Sequence, residues 1–113
     1  MVLGAHDGVA VAPGNHRSLF ENDEVRVIET TIEVGETTPL HSHLIPTVTY
    51  VISVSHFVRR DEHGAVLLDT RATPGFVLPR VSYSTGLAQH TLQNTGDDRF
   101  VAIGVELKHA VRP

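Results

Sequence analysis

From Glu24 to Val34 the chain alternates, with Arg26, Ile28, Thr30, Ile32 and Val34 on one parity. A period of two is the signature of a strand with one covered face. The C-terminal segment alternates more cleanly: Val101, Ile103, Val105 and Leu107 share one face, while Phe100, Ala102, Gly104 and Glu106 share the other. Between these lies a long β-branched run from Val48 to Val58, broken by polar residues. Asp61-Glu62-His63-Gly64 reads as a hairpin turn, with glycine supplying the positive φ of a tight loop, and Ala65-Val66-Leu67-Leu68 returns from it. Phe76 to Tyr83 is a further strand, in which Pro79 marks an edge or a bend. Leu87, Ala88, Thr91 and Leu92 also fit a short helix, but the stretch is short and closed by the turn Asn94-Thr95-Gly96-Asp97-Asp98, so helix is the minor reading. Strands recurring every 8–12 residues or so, with turns between them, indicate an all-β sandwich or barrel. No internal repeat or linker divides the chain.

Composition narrows the function classes. A chain of 113 residues supports one domain with one core. Its net charge of −4, with no basic stripe, argues against nucleic-acid binding. The absence of cysteine removes disulfides, thiolate catalysis and cysteine-type zinc sites. No apolar run is long enough to span a membrane, and Met1 to Asp7 lacks a basic segment followed by an apolar one. The expectation is a cytoplasmic protein without membrane contact.

Chemistry concentrates around His41-Ser42-His43, which follows Gly35. Residues i and i+2 of a strand share a face, so two imidazoles there can chelate one ion, and imidazole suits Zn, Fe, Ni and Cu. The flanks agree: Val34-Gly35-Glu36-Thr37-Thr38-Pro39 reads as a turn, and Thr47-Val48-Thr49-Tyr50-Val51-Ile52 is strongly β-prone. Taken alone, the pair is equally compatible with two surface histidines on an exposed edge.

Further residues carry a resemblance. Gly35-x5-His41-x-His43 is similar to the first half of the first cupin motif, and His90-Thr91-Leu92-Gln93-Asn94 matches the HxxxN ending of the second. From about Phe20 to Lys108 the chain resembles small single-domain bacterial cupins of the conserved-barrel type. The resemblance implies a double-stranded β-helix, a jelly-roll-like barrel over about residues 21–109, preceded by an N-terminal arm over about 1–20, the whole of 1–113 being one cupin domain. It also implies motif histidines pointing inward onto one divalent metal, here His41, His43 and His90, and a tendency to dimerise. The pattern departs from the family's in three places. Thr47 stands where cupins usually carry a fourth, carboxylate ligand; the glycine that normally ends the following strand is replaced around Val54; and Gly86 falls one position early before His90. A site of three neutral imidazoles leaves the full charge on the metal and positions open for water, dioxygen or substrate. Some cupin dioxygenases acting on thiols or β-diketones resemble this arrangement.

The function implied is a divalent-metal-binding cupin (Fe, Zn, Ni or Mn) acting on a small molecule, by dioxygenase-like or enolate-type isomerase, cyclase or lyase chemistry. The alternative is a non-catalytic cupin that binds a small ligand or serves as an accessory subunit. Acid, base or water-orienting candidates are His56, Thr47 and Tyr50, and Thr49 shares the parity of Thr47. His6, His16, His63 and His109, near termini or turns, read as solvated surface groups, and Arg59-Arg60 as a solvated hairpin flank. Arg80 could grip a substrate carboxylate, although a surface ion pair is the plainer role. Tyr50, Phe57, Phe76 and Tyr83 read as core aromatics. The apolar arm residues Val2, Leu3, Val9 and Val11 suit packing across a partner, giving the expectation of a homodimer.

Overall fold

The computed structural model describes residues 7–110. A short helix, α1 (Gly8–Val11), precedes nine strands: β1 (His16–Glu21), β2 (Val25–Ile32), β3 (His41–His43), β4 (Thr47–Ser53), β5 (Phe57–Asp61), β6 (Val66–Asp69), β7 (Val81–Ser84), β8 (Leu87–Asn94) and β9 (Phe100–Leu107). They form two antiparallel sheets, ordered β1-β2-β9-β4-β7 and β3-β8-β5-β6. The all-β architecture expected from the pattern is present. Among the described residues, no helix is long and apolar enough to cross a membrane.

Alternation decides which side chains enter the space between the sheets. On β2 these are Arg26, Ile28, Thr30 and Ile32, and on β9 Phe100, Ala102, Gly104 and Glu106. The two strands pair without interruption from Val25 opposite Leu107 to Ile32 opposite Phe100. One end of the interior is apolar: Ile32, Phe57 and Leu92 are buried there, with Val54, Leu68, Phe76, Leu78 and Phe100 packed around them. Phe57 meets Phe76 and Phe100 edge to face, at centroid distances of 6.4 and 6.1 Å, the favoured aromatic geometry.

Several local expectations are corrected. The Val48–Val58 run is two strands, β4 in one sheet and β5 in the other. The corner between them packs against Gly96, where a Cβ would fall on Ser55 Oγ and the His56 nitrogen. Only Val81–Ser84 of the Phe76–Tyr83 segment is strand; Phe76 and Leu78 lie in the preceding loop and close over the apolar core. Leu87–Asn94 is strand throughout, paired with both β3 and β5. The first strand begins at His16. Tyr50 and Tyr83 are not core: they are 44% and 59% exposed on the outer face of the five-stranded sheet. Val9 and Val11 are half-buried in α1, which packs against β1 and β3 of the same chain, whereas Val2, Leu3 and His6 lie outside the described residues.

Candidate functional site

His41 and His43 stand on β3, a three-residue strand whose approach is anchored by Thr38. The Thr38 N–H donates to the Leu92 carbonyl at 2.9 Å, and the Leu92 N–H donates to Thr38 Oγ1 at 3.0 Å. This pins β3 to β8 with His41 directly opposite His90. The two imidazole rings are 4.4 Å apart, and the His43 ring is 4.8 Å from His41 and 5.5 Å from His90. The structure thus brings together the three histidines named from the motifs.

It adds a fourth. His16 is buried, not solvated, with its ring 4.6 Å from His41 and 5.1 Å from His43. The turn that follows α1 delivers it: the His16 N–H donates to the Ala12 carbonyl, while Asn15 bonds both ways with the Thr31 backbone on β2. Ligand nitrogens of His16, His41 and His43 all lie within 4.8 Å of one another, a group that could hold a metal ion. Nothing local marks His16 in the sequence, because only the pairing of β1 with β2, which sets it opposite Thr30, carries it inward.

The donor chemistry fits a metal. Nδ1 of His16, His41 and His90 lies 3.2, 2.8 and 2.7 Å from the carbonyls of Ala12, Pro39 and Ala88. Each Nδ1–H donates to its carbonyl, which leaves the Nε2 lone pair as the ligand, the usual way a protein fixes a metal-binding tautomer. Burial keeps the rings neutral. Desolvation, reinforced by the neighbouring imidazoles, lowers the pKa of His16 and His90 to about 4 and that of His43 to about 2. His41 is lowered as well, by burial. A free imidazole loses its proton near 6.5, so these rings are in the metal-binding form over a wider pH range.

Gly8 roofs the cluster. A Cβ there would lie 2.9 Å from His43 Cε1, 3.3 Å from His41 Cδ2 and 3.4 Å from His16 Cδ2. The preceding residue fastens this roof: buried Asp7 takes both terminal nitrogens of Arg26, at 2.8 and 3.2 Å, and Arg26 Nε donates to Glu106. Burial raises the Glu106 pKa, against the opposing pull of Arg26. The two carboxylates hold the Arg26 proton more firmly than usual, overcoming the desolvation that would release it.

Beneath the histidines lies a cavity of about 300 Å³ between the sheets. Its walls run from the four imidazoles through Thr47, Thr49 and Glu106 to Phe57, Leu78 and Phe100 at the apolar end. Thr47 is therefore at the site, although its hydroxyl donates to the Ile45 carbonyl at 2.8 Å. Directly opposite it on β9 is Glu106, so the wall does carry a carboxylate, one strand away from the position where cupins usually have one. His56 is not among the lining residues; its Nδ1 is 2.8 Å from Thr70 Oγ1 at the β4–β5 corner. Tyr50 lies on the outer face, with the Arg80 guanidinium 5.9 Å from its ring centroid. Exposed His63 and His109 face Glu62 and Glu24, as surface groups should. Arg59 corrects the sequence reading: it lines the cavity, while Arg60 reaches out to Gln93. Its shared parity with Phe57 was the available signal.

No protein-family model matches the chain, and no curated protein matches it. Solved structures do. A cupin domain from Bordetella pertussis Tohama I superposes with a TM-score of 0.64 at 19% identity, covering 82% of this chain and 91% of its own. An RmlC-like cupin family protein with a double-stranded β-helix fold from Methanocaldococcus jannaschii gives 0.58 at 15% identity, covering 83% of this chain and 79% of its own. A conserved double-stranded β-helix protein from Klebsiella pneumoniae gives 0.53 at 18%, covering 84% and 74%. The chain has the cupin fold.

Proposed function

We propose that the protein is a metal-dependent cupin in which His16, His41, His43 and His90 hold one divalent ion, and that it acts on a small molecule bound in the cavity beneath. The observation that carries this reading is the convergence of four neutral imidazoles, His16, His41 and His90 buried and His43 half-buried, three of them held by backbone carbonyls. In this reading His16 takes the place of the ligand missing at Thr47. A divalent metal would supply Lewis acidity toward a substrate oxygen or, as Fe(II), reactivity toward dioxygen.

The chain's own groups favour the oxygenase or Lewis-acid version over a proton shuttle. Glu106 is the acid in the cavity wall, and it is tied to Arg26. His56 and Tyr50 point elsewhere. What the walls offer instead is shape: Phe57, Leu78 and Phe100 exclude water from the far end, and Thr47 and Thr49 present a polar edge nearer the histidines. The same lack of a free acid or base favours, as second reading, a cupin that binds a small ligand without turnover.

Metal content of protein purified without chelators, followed by oxygen uptake and product analysis on β-diketones and thiols, separates these readings. Stoichiometric metal with turnover supports the enzyme, and stoichiometric metal with ligand binding but no turnover supports the binding protein. Metal-free, stably folded protein that cannot be reloaded contradicts the metalloenzyme and favours the binding protein.

Assembly belongs to the same proposal. The outer face of the five-stranded sheet aligns Tyr83, Val48, Val105 and Val27 in one cross-strand row and Val81, Tyr50 and Ile103 in the next. A second copy meeting this face about a twofold axis would cover it with the same residues, as a homodimer requires. Sedimentation should show a dimer at micromolar concentration that Tyr50→Glu converts to monomer, and a monomeric parent protein would remove the claim.

A further inference from the structure

Arg59 is the cation in the cavity wall without a partner. Arg26, the buried guanidinium of the interior, is neutralised by Asp7 and Glu106, whereas Arg59 is half-buried. Among the described residues, no carboxylate lies within ion-pair distance of Arg59, and its Nε is fully buried with no hydrogen-bond acceptor. Asp61, two residues along the same strand, turns its carboxylate to the backbone N–H groups of His63 and Ala65 in the hairpin. The guanidinium carbon instead sits 5.9 Å from the Phe57 ring centroid. Arg59 faces Leu92 across the β5–β8 ladder, two residues from His90 on the same strand. Its charge reaches the metal end, where it helps to keep His90 unprotonated.

A buried N–H left without an acceptor is costly, and a charged one more so. Proteins retain such a group where something else completes it. The geometry points to Arg59 as the recognition site for a substrate carboxylate: the cavity takes a small monocarboxylic acid, its carboxylate paired with the Arg59 guanidinium and its apolar body against Phe57, Leu78 and Phe100. A planar guanidinium offers two parallel donors that match a carboxylate. One unpaired positive charge fits one negative charge, and the apolar walls next to it disfavour a strongly hydrated dianion such as phosphate. The volume of about 300 Å³ sets the size, at the lower end of small-molecule pockets. The inference rests on the proposed function only in taking this cavity as the ligand site, and its test does not require metal.

Titration calorimetry should be run on metal-stripped and zinc-loaded protein with a series of carboxylates (butyrate, hexanoate, phenylacetate) and their primary amides. The carboxylates should bind at least about tenfold more tightly than amides of the same shape, since an Arg–carboxylate pair in a dry site exceeds that ratio even at the low end of charged hydrogen-bond strengths. Arg59→Met should erase the preference, with a circular dichroism spectrum and melting temperature equal to or above those of the parent. Arg59→Lys should restore part of it. Equal binding of acids and amides by the parent, or an undiminished preference in Arg59→Met, would overturn the inference. Carboxylate selectivity in a protein that takes up no metal would uphold Arg59 and contradict the metal centre; metal uptake without carboxylate selectivity would do the reverse.

Discussion

The two ends of the space between the sheets are built from the same strands and obey opposite rules. At one end Ile32, Phe57 and Leu92 are packed against further apolar side chains, and the faces alternate as in any sandwich. At the other end the same inward positions hold Arg26, His16, His41, His90 and Glu106, all buried. On β2 alone the inward sequence runs from Arg26 through Ile28 and Thr30 to Ile32, from charge to hydrocarbon within one strand. The polar end buries groups that an apolar core would hold more cheaply. The fold is thus filled with hydrocarbon at one end and gathers its buried ionisable groups at the other.

This division predicts separable damage. Phe57→Ala should lower stability by about 3–5 kcal/mol in urea, the usual cost of emptying a core aromatic site. Metal bound per folded molecule should not change. Arg26→Met should cost about as much, roughly 3–5 kcal/mol, because Asp7 and Glu106 remain buried without their cation. It should also loosen the Gly8 roof and weaken metal binding. If Phe57→Ala removed the metal while Arg26→Met kept it, the two ends would not be independent in the way described.

The pH dependence of the metal-free protein separates the ends next. His16 and His90 have folded pKa values of about 4 against an ordinary 6.5, so between those values the unfolded chain binds more protons. Stability is therefore complete above about pH 6.5 and should fall as pH drops toward 4. Glu106, with a raised pKa, works in the opposite direction but is one group against four histidines. Urea midpoints from pH 7.5 to 4.5 should decline in the parent and in Phe57→Ala by similar increments, whereas His16→Gln should flatten the decline. A flat parent profile would show that the cluster is not held neutral by burial.

Smaller effects sharpen the geometry. Gly8→Val places a side chain against three imidazoles and should cost about 1–3 kcal/mol as overpacking, with weaker metal binding. Thr47→Glu returns a carboxylate to the usual cupin position and should tighten metal binding severalfold in competition titrations. The gain should be modest, because the new carboxylate stands directly opposite Glu106. An unchanged affinity would place Thr47 too far from the ion.

How much of this was legible in the chain follows from the range of each signal. The strands β2, β6 and β9 are legible from local alternation and a Gly64 hairpin, and His41, His43 and His90 from two motifs. The β4–β5 corner was hidden because β-branched residues continue through it, and the break depends on the distant Gly96. His16, Asp7 and the partners of Arg26 were illegible for the same kind of reason. They lie 19 to 80 residues from the side chains they meet, and no spacing records which residues a long-range ladder will bring together. Arg59 is legible in principle, since it shares the inward parity of Phe57 on β5.

The central claim is that one divalent ion sits among the four histidines, with His41 common to every close pair of rings except His16–His43 and His43–His90. Its most direct test is metal stoichiometry by mass spectrometry after reloading with Zn²⁺ or Fe²⁺, for the parent and for His16→Ala, His41→Ala, His43→Ala and His90→Ala, each checked for folding by circular dichroism. The account predicts about one ion per chain in the parent, none in His41→Ala and His43→Ala, and weakened binding in His16→Ala and His90→Ala. Full occupancy in a folded His41→Ala protein would contradict it.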